Sequence, residues 1–291
     1  MKTRLSFALT LSLVLAVTAF GQAPAGYIQL YIAKVKPEKR AEFDAVMKKF
    51  VDANRRHKGD TWIASETIYG DQNTLYFTSL RRNYAEAGQA FDAFFSALNK
   101  AYGPTGAAKV WQDGLNCVTS LRAEVRQRRQ DLSWNVPSDT AALFKLVGES
   151  RWTRTILVRV RPGRTGDYVA QLRTIKTAFE KAGSRTPVSV SQSASGQQGT
   201  IFYLTALRSS LGGFDPTGPS LAQALGEEGF QKYQKAVQEI VFNTETYINR
   251  YLPELSNPPE EVVAASPDFW RPKPAPAAKA KAKPAEGAKP Q

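Results

Sequence analysis

The chain repeats itself, and nothing else in it limits the possible folds as much. Val35-Lys36-Pro37 recurs as Val160-Arg161-Pro162, 125 residues further on. Tyr76-Phe77-Thr78-Ser79-Leu80-Arg81 recurs as Tyr203-Leu204-Thr205-Ala206-Leu207-Arg208 at an offset of 127, and Asp131-Leu132-Ser133 recurs as Glu254-Leu255-Ser256 at 123. Three matches in one order, with offsets drifting by four residues, point to a duplicated unit whose loops have gained or lost a few positions.

Both units read as the same series of elements. Tyr27 to Lys36 alternates apolar residues on both faces, Tyr31, Ala33 and Val35 on one and Ile28, Leu30 and Ile32 on the other, so it predicts a strand covered on both sides. Pro37 ends it, and Phe43, Val46, Met47, Phe50 and Val51 then recur at helical spacing; Tyr168, Leu172, Ile175 and Phe179 form the matching stripe in the second unit. Thr61 to Tyr69 and Thr74 to Arg81 predict two strands joined by the turn Gly70-Asp71-Gln72-Asn73. Their counterparts are Pro187 to Ser193 and Thr200 to Arg208. A second helix carries Phe91, Phe94, Phe95, Leu98 and Tyr102, and a last strand falls near Ser120 to Arg128 and Asn243 to Tyr251, although Ala123 to Arg129 also suits a helix.

The order β-α-β-β-α-β is ferredoxin-like. One such unit leaves a sheet face bare, and two in tandem pack those faces together, so the expectation is an α+β fold forming an intrachain pseudo-dimeric barrel. With the strand ends Lys36-Pro37 and Arg161-Pro162 and the strands carrying Trp62 and Tyr76, the stretch from Tyr27 to Ser256 resembles the dimeric α+β barrel superfamily, which includes antibiotic-biosynthesis-type monooxygenases. That resemblance implies a pocket between sheet and helices where aromatic and polar side chains hold a flat aromatic substrate. Trp62, Tyr69 and Tyr76 would furnish it, with Arg81 near its mouth, and Tyr203 and Arg208 are the second unit's candidates. The plainer reading is that tyrosines suit strands and arginines solvate strand ends. Val188 and Val190 occupy the strand that matches the one bearing Trp62, so the first unit is the better candidate. Some relatives of this fold bind haem, which makes His57 a conceivable ligand in one half only, Ala182 being its counterpart.

The flanks have a different character. Lys2 and Arg4 precede an apolar run from Leu5 to Phe20, and Ala19-Phe20-Gly21 offers small residues at the positions a signal peptidase reads. The expectation is a signal peptide over 1–21, a mature chain from Gln22 that is periplasmic or secreted, and no permanent membrane span. Units at 22–138 and 151–260 would be joined by a linker at 139–150 and followed by a Pro/Ala/Lys-rich disordered tail at 261–291. The formal net charge is +13. The signal region and the stretch from Arg271 onward hold so much of it that only about +6 remains between them, which argues against a nucleic-acid partner. The tail would instead meet anionic envelope polymers. The single cysteine, Cys117, reads as a small buried hydrophobe.

No motif names a reaction. His57, alone among cationic neighbours at a helix end, reads as a solvated side chain, so a nucleophilic triad lacks its base and a zinc site lacks ligands. Gly103 to Lys109 lacks phosphate-loop spacing and reads as a helix-breaking loop. Neither catalytic residues nor a cofactor are expected. Three roles remain, in this order: a non-catalytic exported protein binding a small aromatic or apolar ligand or a protein partner, an oxygenase-like enzyme without a bound metal, and an envelope-associated protein held by its basic tail. Missing acid–base machinery tilts the choice away from catalysis.

Overall fold

A computed structural model describes residues 26–272. The expected signal peptide and the basic stretch from Lys273 onward lie outside the described residues. Within them the chain is mixed α+β, with eight strands and seven α-helices. The first half contains β1 (Tyr27–Val35), α1 (Arg40–Arg56), β2 (Ile63–Tyr69), β3 (Thr74–Arg81), α2 (Tyr84–Asn116) and β4 (Val118–Arg128). After α3 (Thr140–Glu149) come β5 (Trp152–Val160), α4 (Thr165–Lys181), β6 (Val188–Ser195), β7 (Ile201–Arg208), α5 (Leu221–Ile240) and β8 (Val241–Tyr251). Two short helices, α6 (Glu260–Ala265) and α7 (Pro267–Trp270), finish it.

The strands close into one antiparallel barrel in the order β1-β3-β2-β8-β5-β7-β6-β4. Closure removes every sheet edge, and the helices packed outside cover the outer face of strands such as β1. That is why β1 carries apolar residues on both faces: Ile28 and Leu30 face the barrel interior, whereas Ala33 and Val35 join the core under α1 and α2. Pro37, without an N–H to donate, opens a short 3-10 turn that leads into α1. The segment Ala123 to Arg129, ambiguous in sequence, is extended through Arg128 and pairs with both β1 and β6.

Two layers of helix cover the barrel. Phe43, Phe50, Val51 and Leu98 pack on the first half with Cys117, which is buried, and Tyr168, Leu172 and Ile175 pack on the second. The halves also trade segments. Leu252 and Leu255, which follow β8, complete the first core, and Leu132 and Trp134, which follow β4, complete the second.

Three expectations change. The segment Gly103 to Lys109 is a kink inside α2, where Gly103 sits at φ 70° and ψ 165° and Pro104 starts the next helical turn. Gly226 makes the same kink in α5 at φ 71° and ψ 169°. Residues 139–150, expected as linker, contain the helix α3. Residues 261–270, expected as tail, form most of α6 and all of α7. Here Val262, Val263 and Trp270 are buried against Tyr251, and the Trp270 indole N–H donates to the Gly148 carbonyl at 2.9 Å. An apolar cluster of this kind was hidden by the prolines around it.

Candidate functional site

Two cavities meet at Trp62. The first lies between the sheet of the first half and its helices, a cavity of about 110 Å³ that is open on one side. α1 supplies Phe43, Met47 and Phe50, α2 supplies Phe91, Phe94, Phe95 and Trp111, and the sheet supplies Tyr31 and Phe77. The rings hold one another edge to face: Phe50 and Phe94 centroids are 5.3 Å apart at 73°, and Phe95 and Trp111 are 5.2 Å apart at 66°. The cavity opens past Phe91 and Leu121, both exposed.

One charged group, Asp60, lines this apolar space. Arg81 Nη2 donates to both of its carboxylate oxygens at 2.7 Å, and Arg81 Nε donates to Gln29 Oε1 at 2.8 Å. Gln29 Nε2 in turn donates to the Tyr31 hydroxyl at 3.2 Å. Burial raises the Asp60 pKa above its usual 3.8 even though Arg81 pulls it down. Burial and the nearby Asp60 raise the Tyr31 hydroxyl as well. The site is therefore a carboxylate that accepts a proton more readily than a surface aspartate, next to a phenol that holds its own, at the edge of an aromatic slot.

The second half is built differently. Tyr168 packs against Phe202 at 5.0 Å and Trp134 stacks on Phe179 at 5.7 Å, occupying the matching layer. Arg208, the counterpart of Arg81, donates to the carbonyls of Gly213 and Leu207, each at 2.7 Å.

The barrel interior holds the second cavity, about 180 Å³. Arg126 and Arg128 line it, and Arg126 belongs to a charged cluster centred on Glu124, which is buried. Arg126 Nε and Nη2 reach Glu124 Oε2 at 3.0 and 2.9 Å, the Tyr203 hydroxyl reaches the same oxygen at 3.3 Å, and Arg122 and Gln197 bind the other. The Arg126 guanidinium lies 3.4 Å from the Tyr203 ring centroid. Burial opposes its charge, but Tyr247, Tyr203 and Glu124 outweigh that and keep it cationic. Tyr76 stacks on Tyr247 at 5.6 Å and 10°, and burial followed by Tyr247 raises its pKa.

The structure thus divides the candidate residues. Trp62 borders both cavities, its indole N–H spent on the Leu255 carbonyl at 2.8 Å. Arg81 is buried in the ion pair at the polar corner of the first cavity and does not stand at its mouth, because Asp60 fixes it there. Tyr76 and Tyr203 point into the barrel. Arg208 is in the other half, and Tyr69 is 55% exposed at the end of β2, beyond either cavity. Sequence reading missed Asp60, Gln29 and Tyr31 as a group, because only folding brings their three segments together. It also passed over Arg122, Glu124, Arg126 and Arg128, whose two-residue spacing is the sign of a charged strand face turned inward.

Haem ligation by His57 does not fit, since His57 caps the C-terminus of α1 and borders neither cavity. Among the described residues no group of His, Cys, Asp or Glu is placed to hold a metal, and no helix is long and apolar enough to cross a membrane.

No family model matches the sequence, and no curated protein is similar enough to count as a relative. Several solved structures align with most of this chain at low identity. An anthrone oxidase-like protein aligns over 78% of this chain and 92% of its own at 13% identity and a TM-score of 0.48. A presumed monooxygenase from Lactobacillus acidophilus aligns over 78% and 94% at 10% identity and a TM-score of 0.46. Chlorite dismutase from Candidatus Nitrospira defluvii aligns over 83% and 95% at 11% and 0.42. The expectation that acid–base machinery is missing, which had favoured a non-catalytic protein, is corrected here: the aromatic slot is lined by Asp60, a carboxylate buried against Arg81.

Proposed function

We propose that the chain is a monooxygenase-like enzyme that needs no bound cofactor and oxidises a flat, hydroxylated aromatic substrate in the slot of the first half. The observation that carries this is the Asp60–Arg81 pair at the polar corner of an otherwise aromatic cavity. The edge of one ring inserts past Phe91 towards Phe94, Phe95 and Trp111, and the remaining rings lie in the open mouth beside Leu121. Asp60 takes a proton from the substrate, and Arg81 offsets the charge that develops. An electron-rich substrate with a CH2 between aromatic rings then reduces dioxygen itself: one oxygen atom replaces the two hydrogens as a carbonyl and the other leaves as water. Oxygen uptake with such substrates, compared between the protein and its Asp60→Asn variant, tests the reading.

The architecture supports a second inference, that two ferredoxin-like units in tandem form a pseudo-dimer. Within each half the strands lie in the order fourth, first, third, second, and the kinks at Gly103 and Gly226 correspond. Export and weak attachment of the basic C-terminus to anionic envelope polymers are proposals carried by the sequence. N-terminal sequencing of the mature protein, expected to begin at Gln22, tests the first.

A further inference from the structure

We propose that the barrel interior is a second ligand site, separate from the aromatic slot, that takes a single-ring phenol whose hydroxyl donates to Asn249 Oδ1. Asn249 is 3% exposed and lines the cavity, yet its Oδ1 has no hydrogen-bond partner. Thr67, directly opposite it in the β2–β8 pairing, has a buried hydroxyl in the same condition. These are the two buried side-chain polar atoms left unpartnered among the described residues, and they face each other across one pair of strands. A buried carbonyl oxygen without a donor is costly to keep, so a ligand that supplies one is favoured there.

The rest of the lining explains why the ligand is neutral and small. The nearby charges have other work: Arg126 is spent on Glu124, and Arg128 Nη2 reaches Gln130 Oε1 at 3.3 Å. Thr155 and Thr205 hydrogen-bond each other at 3.0 Å. Towards α3 and α6 the walls become apolar, with Leu30, Ile63, Leu80, Phe144, Leu207 and Val262. An apolar cavity of about 150 Å³ accepts benzene, and this one measures about 180 Å³. A ring fits against the apolar end with its hydroxyl towards the asparagine.

The test is a titration of the full-length chain with phenol, anisole and toluene, followed by calorimetry or NMR. Phenol is expected to bind at least tenfold more tightly than anisole, which has the oxygen but no hydrogen to donate. Asn249→Leu is expected to erase that preference while the melting temperature holds or rises, because it removes an unsatisfied carbonyl. Ser189→Leu, which fills the cavity from β6 at the place where Ile63 stands in β2, is expected to abolish binding of all three. Equal affinity for phenol and anisole, phenol binding unchanged in both variants, or no binding of phenol by the parent chain would each overturn the proposal. Unchanged binding in the variants would place phenol in the aromatic slot, so the outcome is read independently of the enzymatic assignment.

Discussion

Ser133 and Ser256 perform the same task in opposite halves of the barrel. The Ser133 hydroxyl accepts the Val190 N–H at 2.8 Å and donates to the Arg129 carbonyl at 2.8 Å. The Ser256 hydroxyl accepts the Ala64 N–H at 2.8 Å and donates to the Leu252 carbonyl at 2.7 Å. Each serine follows the last strand of one half and crosses to the second strand of the other. Ser133→Ala and Ser256→Ala should each leave a buried strand N–H unpaired and cost about 1–3 kcal/mol. Urea unfolding should show similar losses for the two.

The same exchange bears on how separable the halves are. Residues 22–138 lack Leu252 and Leu255, which complete the first core. Expressed alone, that segment should dimerise or aggregate through exposed apolar surface. A stable monomer by analytical ultracentrifugation would contradict a pseudo-dimer.

Gly103→Ala and Gly226→Ala isolate backbone strain. A Cβ at either position meets nothing within 4 Å, so any cost comes from the positive φ that both glycines hold. The expected loss is about 1–3 kcal/mol in each case. Thermal melts of the two variants should agree.

Asp60 sets a pH dependence with a defined sign. Its pKa lies above the usual 3.8, so the acidic limb of activity should fall at higher pH than for an ordinary aspartate, and activity should drop as pH falls through it. Its contribution to stability has the opposite trend: the folded state holds the proton more tightly, so the contribution is largest below 3.8 and is lost as pH rises through the raised value. Arg81→Gln should move the activity limb further up, because Arg81 lowers the Asp60 pKa, and should destabilise by about 3–5 kcal/mol by leaving a buried carboxylate unpaired.

The fold was largely legible because the recurring segments fall at constrained places. Leu132-Ser133 and Leu255-Ser256 match each other since each pair fills a core and satisfies a strand N–H. The apolar two-sided β1 already implied coverage on both faces. The C-terminal helices were not legible, because Trp270 gains its partner Gly148 only through contacts 122 residues apart. The site was half legible. Trp62 and Arg81 stood out by residue type, but an arginine at a strand end looks the same in sequence whether water or Asp60 receives it. Tyr69 shows the limit of pattern reading: alternation assigns a face, and the end of the strand lies outside the cavity.

Oxygen uptake during turnover of a hydroxylated polycyclic aromatic with a ring CH2 tests the enzymatic account most directly. The parent protein should consume one dioxygen per carbonyl formed, Asp60→Asn should lose at least a hundredfold in kcat, consistent with loss of a general base, and Asn249→Leu should keep the parent rate. Uptake that is absent from the parent protein across such substrates, or equal in Asp60→Asn, would contradict it.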